Sequence, residues 1–198
     1  DGGATGDVGV GASVAVAVIE NTVTAEVMDT ATVQEYGGGK PTNVSVKATG
    51  FHITTTEAQN GASGDSVAVA AAVAVAVVDN TTTARIGTGA TLPFTGNAEI
   101  IATHDSGVAT NVKSEAAGDV GVGVSVGVAV VDETITATLA RNLGLNADTN
   151  GSVTVKADAD TASVMAITAS AGGSKREDEG GRSADNESNA QVNSNSNV

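Results

Sequence analysis

The sequence predicts an all-β protein made of internal repeats, with a repeat β-solenoid (a parallel β-helix) as its fold. The dipeptide Gly-Asp recurs at intervals of 58 and then 54 residues, which indicates a repeat. The long runs that follow it alternate valine with small residues, and a period of two is that of a β-strand. Only 2% of the residues are aromatic, so stability must come from many ladders of closely packed small side chains.

Residues 1–173 form the predicted repeat region, and the Gly-Asp dipeptides divide it into units 6–63, 64–117 and 118–173. Each unit opens on an alternating run, and these runs are Val8–Ile19, Ser66–Val78 and Val120–Val131. Polar residues follow each run, beginning at Glu20, Asp79 and Asp132. A polar group that interrupts an apolar alternation favours a corner. We therefore expect each of these strands to end there.

Each unit also has a second extended stretch after a loop with glycine or proline, at residues 43–48, 97–102 and 152–157. A unit of about 55 residues is long for one turn of a solenoid (a rung) and fits two rungs of about 27, which predicts about six rungs. An elongated antiparallel β-sandwich is the alternative. A strand of twelve residues would be about 40 Å long, which is long for a solenoid face.

The alternating runs have one face of valine and one face of glycine, alanine and serine only. In the first run Val8 and Val10 lie on one face, and Gly9, Gly11 and Ser13 lie on the other. A face of small residues lets a second sheet or another chain approach closely. It could also face outward and simply avoid crowding. Close packing is the favoured interpretation, because a strand needs packed side chains for its stability.

Composition argues against several classes of partner. The net charge is −14, and a chain without a basic patch is a poor binder of nucleic acid or of anionic membranes. The apolar run Val67–Val78 is too short to cross a bilayer as a helix, so we expect no membrane insertion of this segment. Cysteine is absent, which removes disulfides and thiolate chemistry.

No residue is assigned a catalytic, cofactor-binding or metal-binding role, and the chain is not expected to be an enzyme. Nucleophilic catalysis needs a positioned base, and the two histidines, His52 and His104, follow their extended stretches at different offsets. We expect them to be partly exposed loop residues. The sequence contains no phosphate-binding loop, dinucleotide fingerprint or zinc pattern.

Two recurring polar patterns have a functional interpretation and a structural one. Asp7, Asp65 and Asp119 could be calcium ligands, but nothing recurs at the nine-residue spacing of calcium-binding β-rolls, so Gly-Asp is interpreted as a turn. A Thr-x-Thr pattern recurs at equivalent positions: Thr22 and Thr24, Thr81 and Thr83, and Thr134 and Thr136. These pairs could stack as on ice-binding solenoids, but three pairs are few, and threonine suits strands in general.

Residues 174–198 change abruptly to a polar, charged composition, which predicts a loop or linker. Pairing of Ala190–Val198 as an added strand is less favoured, because that segment offers little burial. Any adhesive contact is expected in the loops Tyr36–Thr42 and Thr88–Asn97, which hold two of the three aromatic residues and both prolines.

The recurring pattern Gly-Val-Gly-x-Ser-Val-x-Val-Ala-Val-[Ile/Val]-[Glu/Asp]-[Asn/Glu]-Thr-x-Thr-Ala, within residues 6–173, resembles the repeats of large bacterial filamentous adhesins. These are the filamentous-haemagglutinin and leukotoxin-type adhesins. The resemblance implies a β-solenoid shaft segment of a secreted or cell-surface protein, exported through an outer-membrane transporter. It implies a receptor on a host or neighbouring cell, bound by the full-length protein, and no catalytic residue. The alternative is a self-assembling extracellular filament subunit, joined to copies of itself by strand or small-residue-face contacts.

Overall fold

The computed structural model describes residues 2–34, 39, 42–144 and 151–172. These residues form seven β-strands and no helix, which confirms the all-β prediction. The strands are β1 Gly2–Ala4, β2 Val8–Val27, β3 Val44–Ser63, β4 Val67–Ile86, β5 Ala98–Ala117, β6 Val120–Leu139 and β7 Val153–Gly172. No helix that could span a membrane occurs in the described part of the chain. The predicted tail, 174–198, lies outside the described residues.

Successive long strands alternate between two sheets, as the chain of a solenoid does. One sheet has the order β1-β3-β5-β7 and the other the order β2-β4-β6. Every pairing between these strands is parallel, so the fold is the predicted parallel solenoid and not the antiparallel sandwich. The register follows the sequence repeat, because Val8 pairs with Val67, and Val67 pairs with Val120.

Each repeat unit forms one rung, and the prediction of two rungs per unit was wrong. A rung takes one strand from each sheet, and each of these strands has 20 residues, a length of about 66 Å. The strands continue through the predicted corners. Asn21, Asn80 and Glu133 point into the space between the sheets and bond to one another there. A polar residue with an internal partner does not have to end a strand.

The small-residue faces of β2, β4 and β6 point inward, which confirms the close-packing interpretation, and the valines point outward. The buried apolar cluster near the Gly-Asp turns consists of alanines only, including Ala68, Ala70 and Ala116. At the other end of the strands the buried side chains are larger, and they include Ile86, Leu92 and Phe94. The interior is therefore filled by small side chains at one end and by large ones at the other.

Several glycines of this interior lie where the backbone of the opposite sheet is too close for a side chain. A Cβ atom at Gly9 would overlap the backbone carbonyl of Ser63, and one at Gly123 would lie 2.6 Å from the carbonyl oxygen of Ser170. Both obstacles are backbone atoms, which cannot rotate away. The sheets can thus approach this closely only where the side chain is absent.

We expect Gly9→Ala to lower the free energy of unfolding by about 1–3 kcal/mol, because the added methyl group overpacks the interior. Urea denaturation followed by circular dichroism measures the change. Gly61→Ala is the matched control, because a Cβ there meets no atom within 4 Å. Removing a glycine from an open site should be neutral or stabilising. Equal losses in the two variants would contradict the proposed sheet contact.

Candidate functional surfaces

The Gly-Asp dipeptides lie in the short connections that join one sheet to the other. The amide of Asp65 donates to the carbonyl of Gly6, and that of Ser66 donates to the carbonyl of Asp7. Gly6 has a φ of 144°, a conformation that favours glycine. The interpretation of Gly-Asp as a turn is confirmed. Among the described residues, no cluster of three or more acidic or histidine side chains could hold a metal ion.

A ladder of polar side chains crosses the three rungs inside the fold. The Asn21 amide nitrogen donates to Asn80 Oδ1 at 2.8 Å, and the Asn80 amide nitrogen donates to Glu133 Oε1 at 3.4 Å. The carboxylate of Glu133 also accepts hydrogen bonds from the hydroxyl groups of Ser106 and Thr161. We call this set, together with Thr82 and the two histidines, the polar layer. It separates two apolar clusters of the interior.

The environment of Glu133 favours its charged form. Burial raises the pKa of the Glu133 carboxyl, but the hydrogen bonds that it accepts and the nearby His104 ring lower it by more. The pKa of Glu133 therefore lies below its ordinary value of 4.5. A carboxylate that accepts several hydrogen bonds is stabilised in this way.

This lowered pKa predicts a contribution to acid sensitivity. A group whose pKa is depressed by folding stabilises the fold above its unfolded value, and that stability is lost as the pH falls through the folded value. We expect Glu133→Gln to lose less stability than the parent chain between neutral pH and pH values below 4.5. Melting temperatures over a pH series measure this. Glu20→Gln, which removes a carboxylate at an exposed position, is the matched control for the loss of one negative charge. An acid dependence in Glu133→Gln equal to that of the parent chain would refute the assignment.

The two histidines lie in strands, not in loops as expected. His104 is 1% exposed, and its Nδ1 lies 2.7 Å from the hydroxyl oxygen of Thr82. His52 stacks on it, with ring centroids 5.1 Å apart and the ring planes 17° apart, and its Nδ1 lies 3.3 Å from His104 Nε2. The two histidines are not opposite each other in the sheet, because His104 pairs with Gly50 and not with His52. The two rings meet diagonally across the strands, because Gly50 has no side chain and leaves room for the His104 ring.

The polar layer resembles catalytic chemistry only in its residue types. A hydroxyl group and an imidazole are in contact, but Thr82 and His104 are 0% and 1% exposed. A substrate would have to part the two sheets to reach them. The arrangement satisfies buried polar groups and aligns the rungs in one register, which is a structural role.

The outer face of the β2-β4-β6 sheet is divided into an apolar half and a polar half. The apolar half, which we call the valine face, consists of the outward residues of 8–18, 67–77 and 120–130, namely sixteen valines and two alanines. A row of carboxylates follows, formed by Glu20, Asp79 and Asp132 in register. The valines of the edge strands β2 and β6 are 41–75% exposed.

Beyond the carboxylate row, the Thr-x-Thr pairs stack in register on the same outer face. Thr22 pairs with Thr81, and Thr81 pairs with Thr134; the second column aligns in the same way. The predicted threonine ladder is therefore confirmed as a geometry. With three ranks the array is short, and the expectation that it does not bind ice stays a prediction, which an assay of thermal hysteresis would test.

The outer face of the other sheet is polar in character. An ion pair of 2.7 Å joins Lys47 to Glu99 across neighbouring strands, with both side chains about half exposed. Phe51 and Ile53 are exposed there, at 64% and 69%; Phe51 pairs with Asp105, whereas Ile53 pairs with Gly107, which in turn pairs with Ala162. The two outer faces thus differ, and the valine face is the larger continuous apolar surface of the two.

One of the two loops expected to carry adhesive contacts, Thr88–Asn97, contributes two side chains to the core. Phe94 is 4% exposed and Leu92 is 1% exposed, and both pack in the large-residue cluster. Phe94 is therefore not available for a surface contact, and an adhesive role of the exposed residues of this loop stays a prediction. The aromatic ring packs inside the end of the fold that holds the large buried side chains. Of the other loop, residues 36–38, 40 and 41 lie outside the described residues.

Arg141 is a residue that sequence reasoning missed. It lies just after β6 and is 7% exposed. Its guanidinium group donates to the carbonyl oxygens of Ala31, Met28 and Thr88 at 2.7 Å each, and to that of Gly87. One side chain of the third rung therefore connects the loops of the first two rungs by hydrogen bonds to their backbone. No pattern marks this residue, since its acceptors are backbone atoms distant in the chain.

Comparison with protein-family models, with curated proteins and with solved structures finds no match to this chain. The resemblance to the repeats of filamentous adhesins accordingly stays a prediction.

Proposed function

We propose that this chain is a structural segment of the shaft of a large secreted or cell-surface bacterial adhesin, and that it is not an enzyme. One observation carries the proposal: six strands of 20 residues stack in unbroken parallel register, so each rung repeats the one before. Such a stack can be extended by further rungs, since each rung contacts only its neighbours. The receptor on a host or neighbouring cell would be bound elsewhere in the full-length protein.

The dimensions of a rung favour a stiff shaft over a long one. Each rung advances the stack by about 4.8 Å, while each strand extends about 66 Å across it. A solenoid of ordinary rungs would gain more length per residue. The wide rung instead gives a broad ribbon that resists bending, and the polar layer and Arg141 hold its rungs in register.

A duplication series tests the proposal. In the full chain, residues 64–117 would be repeated in tandem once, twice and four times after residue 117. We expect the dimension along the stack, measured by small-angle X-ray scattering, to grow by about 4.8 Å per added unit at constant cross-section. The melting temperature should rise with unit number. Growth in all directions, or separate unfolding of each unit, would contradict a continuous shaft.

The alternative is a self-assembling filament subunit. The outer strands of the stack, β2 and β6 in one sheet, each have one unpaired edge, and such edges can accept strands of a neighbouring copy. Contact through the small-residue faces is not available in the described residues, because those faces lie between the sheets. Negative-stain electron microscopy separates the two functions. Long unbranched fibres favour assembly, whereas short dispersed particles favour the shaft.

A further inference from the structure

The valine face is an exposed apolar surface with the properties of a protein interface. Its outward positions in β2, β4 and β6 are all valine or alanine, without a single polar side chain. It measures about 35 Å along the strands and about 15 Å across them, an area of about 500 Å². That is near the upper end of the apolar patches found on monomeric proteins, and such patches often mark interaction sites.

The shape of this face favours another flat sheet as its occupant. Valine is short and branched at Cβ, so the face offers rows of ridges, and it has no aromatic or arginine side chain that could enter a pocket of a different protein. The rows repeat at about 6.6 Å along the strands and about 4.8 Å between them. A second valine face has the same two spacings, so its ridges can fill these grooves, as in packed β-sheets.

The charges around the face disfavour a membrane. Glu20, Asp79 and Asp132 border it at one end, and exposed aspartates in the turns, such as Asp7 and Asp65, border it at the other. With a net charge of −14, these rows would be repelled by anionic lipid headgroups. Between two copies the same rows lie at the rim of the contact, where water and salt screen their repulsion.

We propose that the valine face is a docking surface for a second copy of this chain, so that two solenoids pair side by side, valine face to valine face. The contact buries about 1,000 Å² in total, which reaches the lower limit for a specific protein interface. It grows by about 170 Å² per copy with every added rung. Pairing is therefore weak for three rungs and strengthens with the length of the stack.

The test is sedimentation equilibrium of the full chain over a range of protein and salt concentrations. We expect a reversible dimer, and we expect salt to tighten it, because salt screens the acidic rims and strengthens apolar burial. A variant with Val14→Lys, Val73→Lys and Val126→Lys places a row of charges across the centre of the face. Its dimer dissociation constant should rise by about 100-fold or more, since like charges would meet in the contact.

A second variant with three new lysines serves as the matched control. Thr49→Lys, Ile53→Lys and Val164→Lys change exposed positions of the opposite outer face, and the dimer should persist. Because all six sites face solvent, the strand signal in circular dichroism should be retained in both variants. A dimer that survives the valine-face lysines overturns the proposal, as does a chain that stays monomeric at high salt.

Two further outcomes identify a different occupant. Flotation of a monomeric chain with phosphatidylcholine vesicles, abolished by the valine-face lysines, would assign the face to lipid and overturn pairing. Fibres that form equally well in the valine-face variant would assign self-association to the strand edges instead. The dimer contact can also be located directly, because the chain has no cysteine. Spin labels on Val73→Cys should then lie within measurable distance of each other only in the dimer.

Discussion

Replacing Phe94 with alanine is expected to lower the free energy of unfolding by about 3–5 kcal/mol, because the change leaves a large cavity. Phe94 is 4% exposed and packs with Ile86, Leu92 and Ile100 in the large-residue cluster. Ile86, Leu92 and Ile100 are themselves at most 1% exposed, so they could move into the space only by giving up contacts of their own. Urea denaturation followed by circular dichroism gives the loss.

Phe51→Ala is the matched control for Phe94→Ala. The Phe51 side chain is 64% exposed on an outer face, so its removal leaves no cavity, and surface changes of this kind are usually within about 0.5 kcal/mol. A large loss in both variants would mean that the ring at position 51 is also packed. A small loss in both would mean that Phe94 does not belong to the core.

Arg141→Met is expected to cost about 2–4 kcal/mol. The guanidinium donates to four backbone carbonyls in the loops of two other rungs, and hydrogen bonds to a charged group are worth about 1.5–3 kcal/mol each, without being additive. Methionine keeps the apolar stem of the side chain and removes every donor. Beyond the loss of stability, we expect faster amide hydrogen exchange at Thr30 and Gly87, whose loop hydrogen bonds Arg141 supports.

Two variants bracket the effect of Arg141→Met. Arg141→Lys retains the charge, but an ammonium group lacks the planar fork that reaches several acceptors at once, so we expect only partial rescue. Arg85→Met removes an exposed arginine that pairs with Glu26 at 2.7 Å, and exposed ion pairs contribute little. If Arg85→Met proved as costly as Arg141→Met, the carbonyl contacts would not explain the role of Arg141.

The polar layer shows where sequence reasoning failed. Asn21 and its equivalents follow the alternating runs, and their polarity predicts corners that would end the strands at about half their length. The histidines then fell into predicted loops. In the structure the partners of these groups come from other rungs and from the opposite sheet. Hydrogen bonds between residues 22 to 59 positions apart leave no local mark on the sequence.

The sequence by itself determined that the chain forms strands, that it repeats, where its Gly-Asp turns fall, and which residues of successive units align in the ladders. These features are local or follow from the repeat period, so they can be predicted without a partner. Only the tertiary structure decided the number of rungs, the contacts of the polar layer, and which face of each strand is buried. The alternation of an isolated strand does not say which of its two faces is buried. In this fold the distance between the sheets decides it. At Gly9 and Gly123 the opposite backbone leaves no space for a side chain, so the small residues turn inward and the valines are left outside.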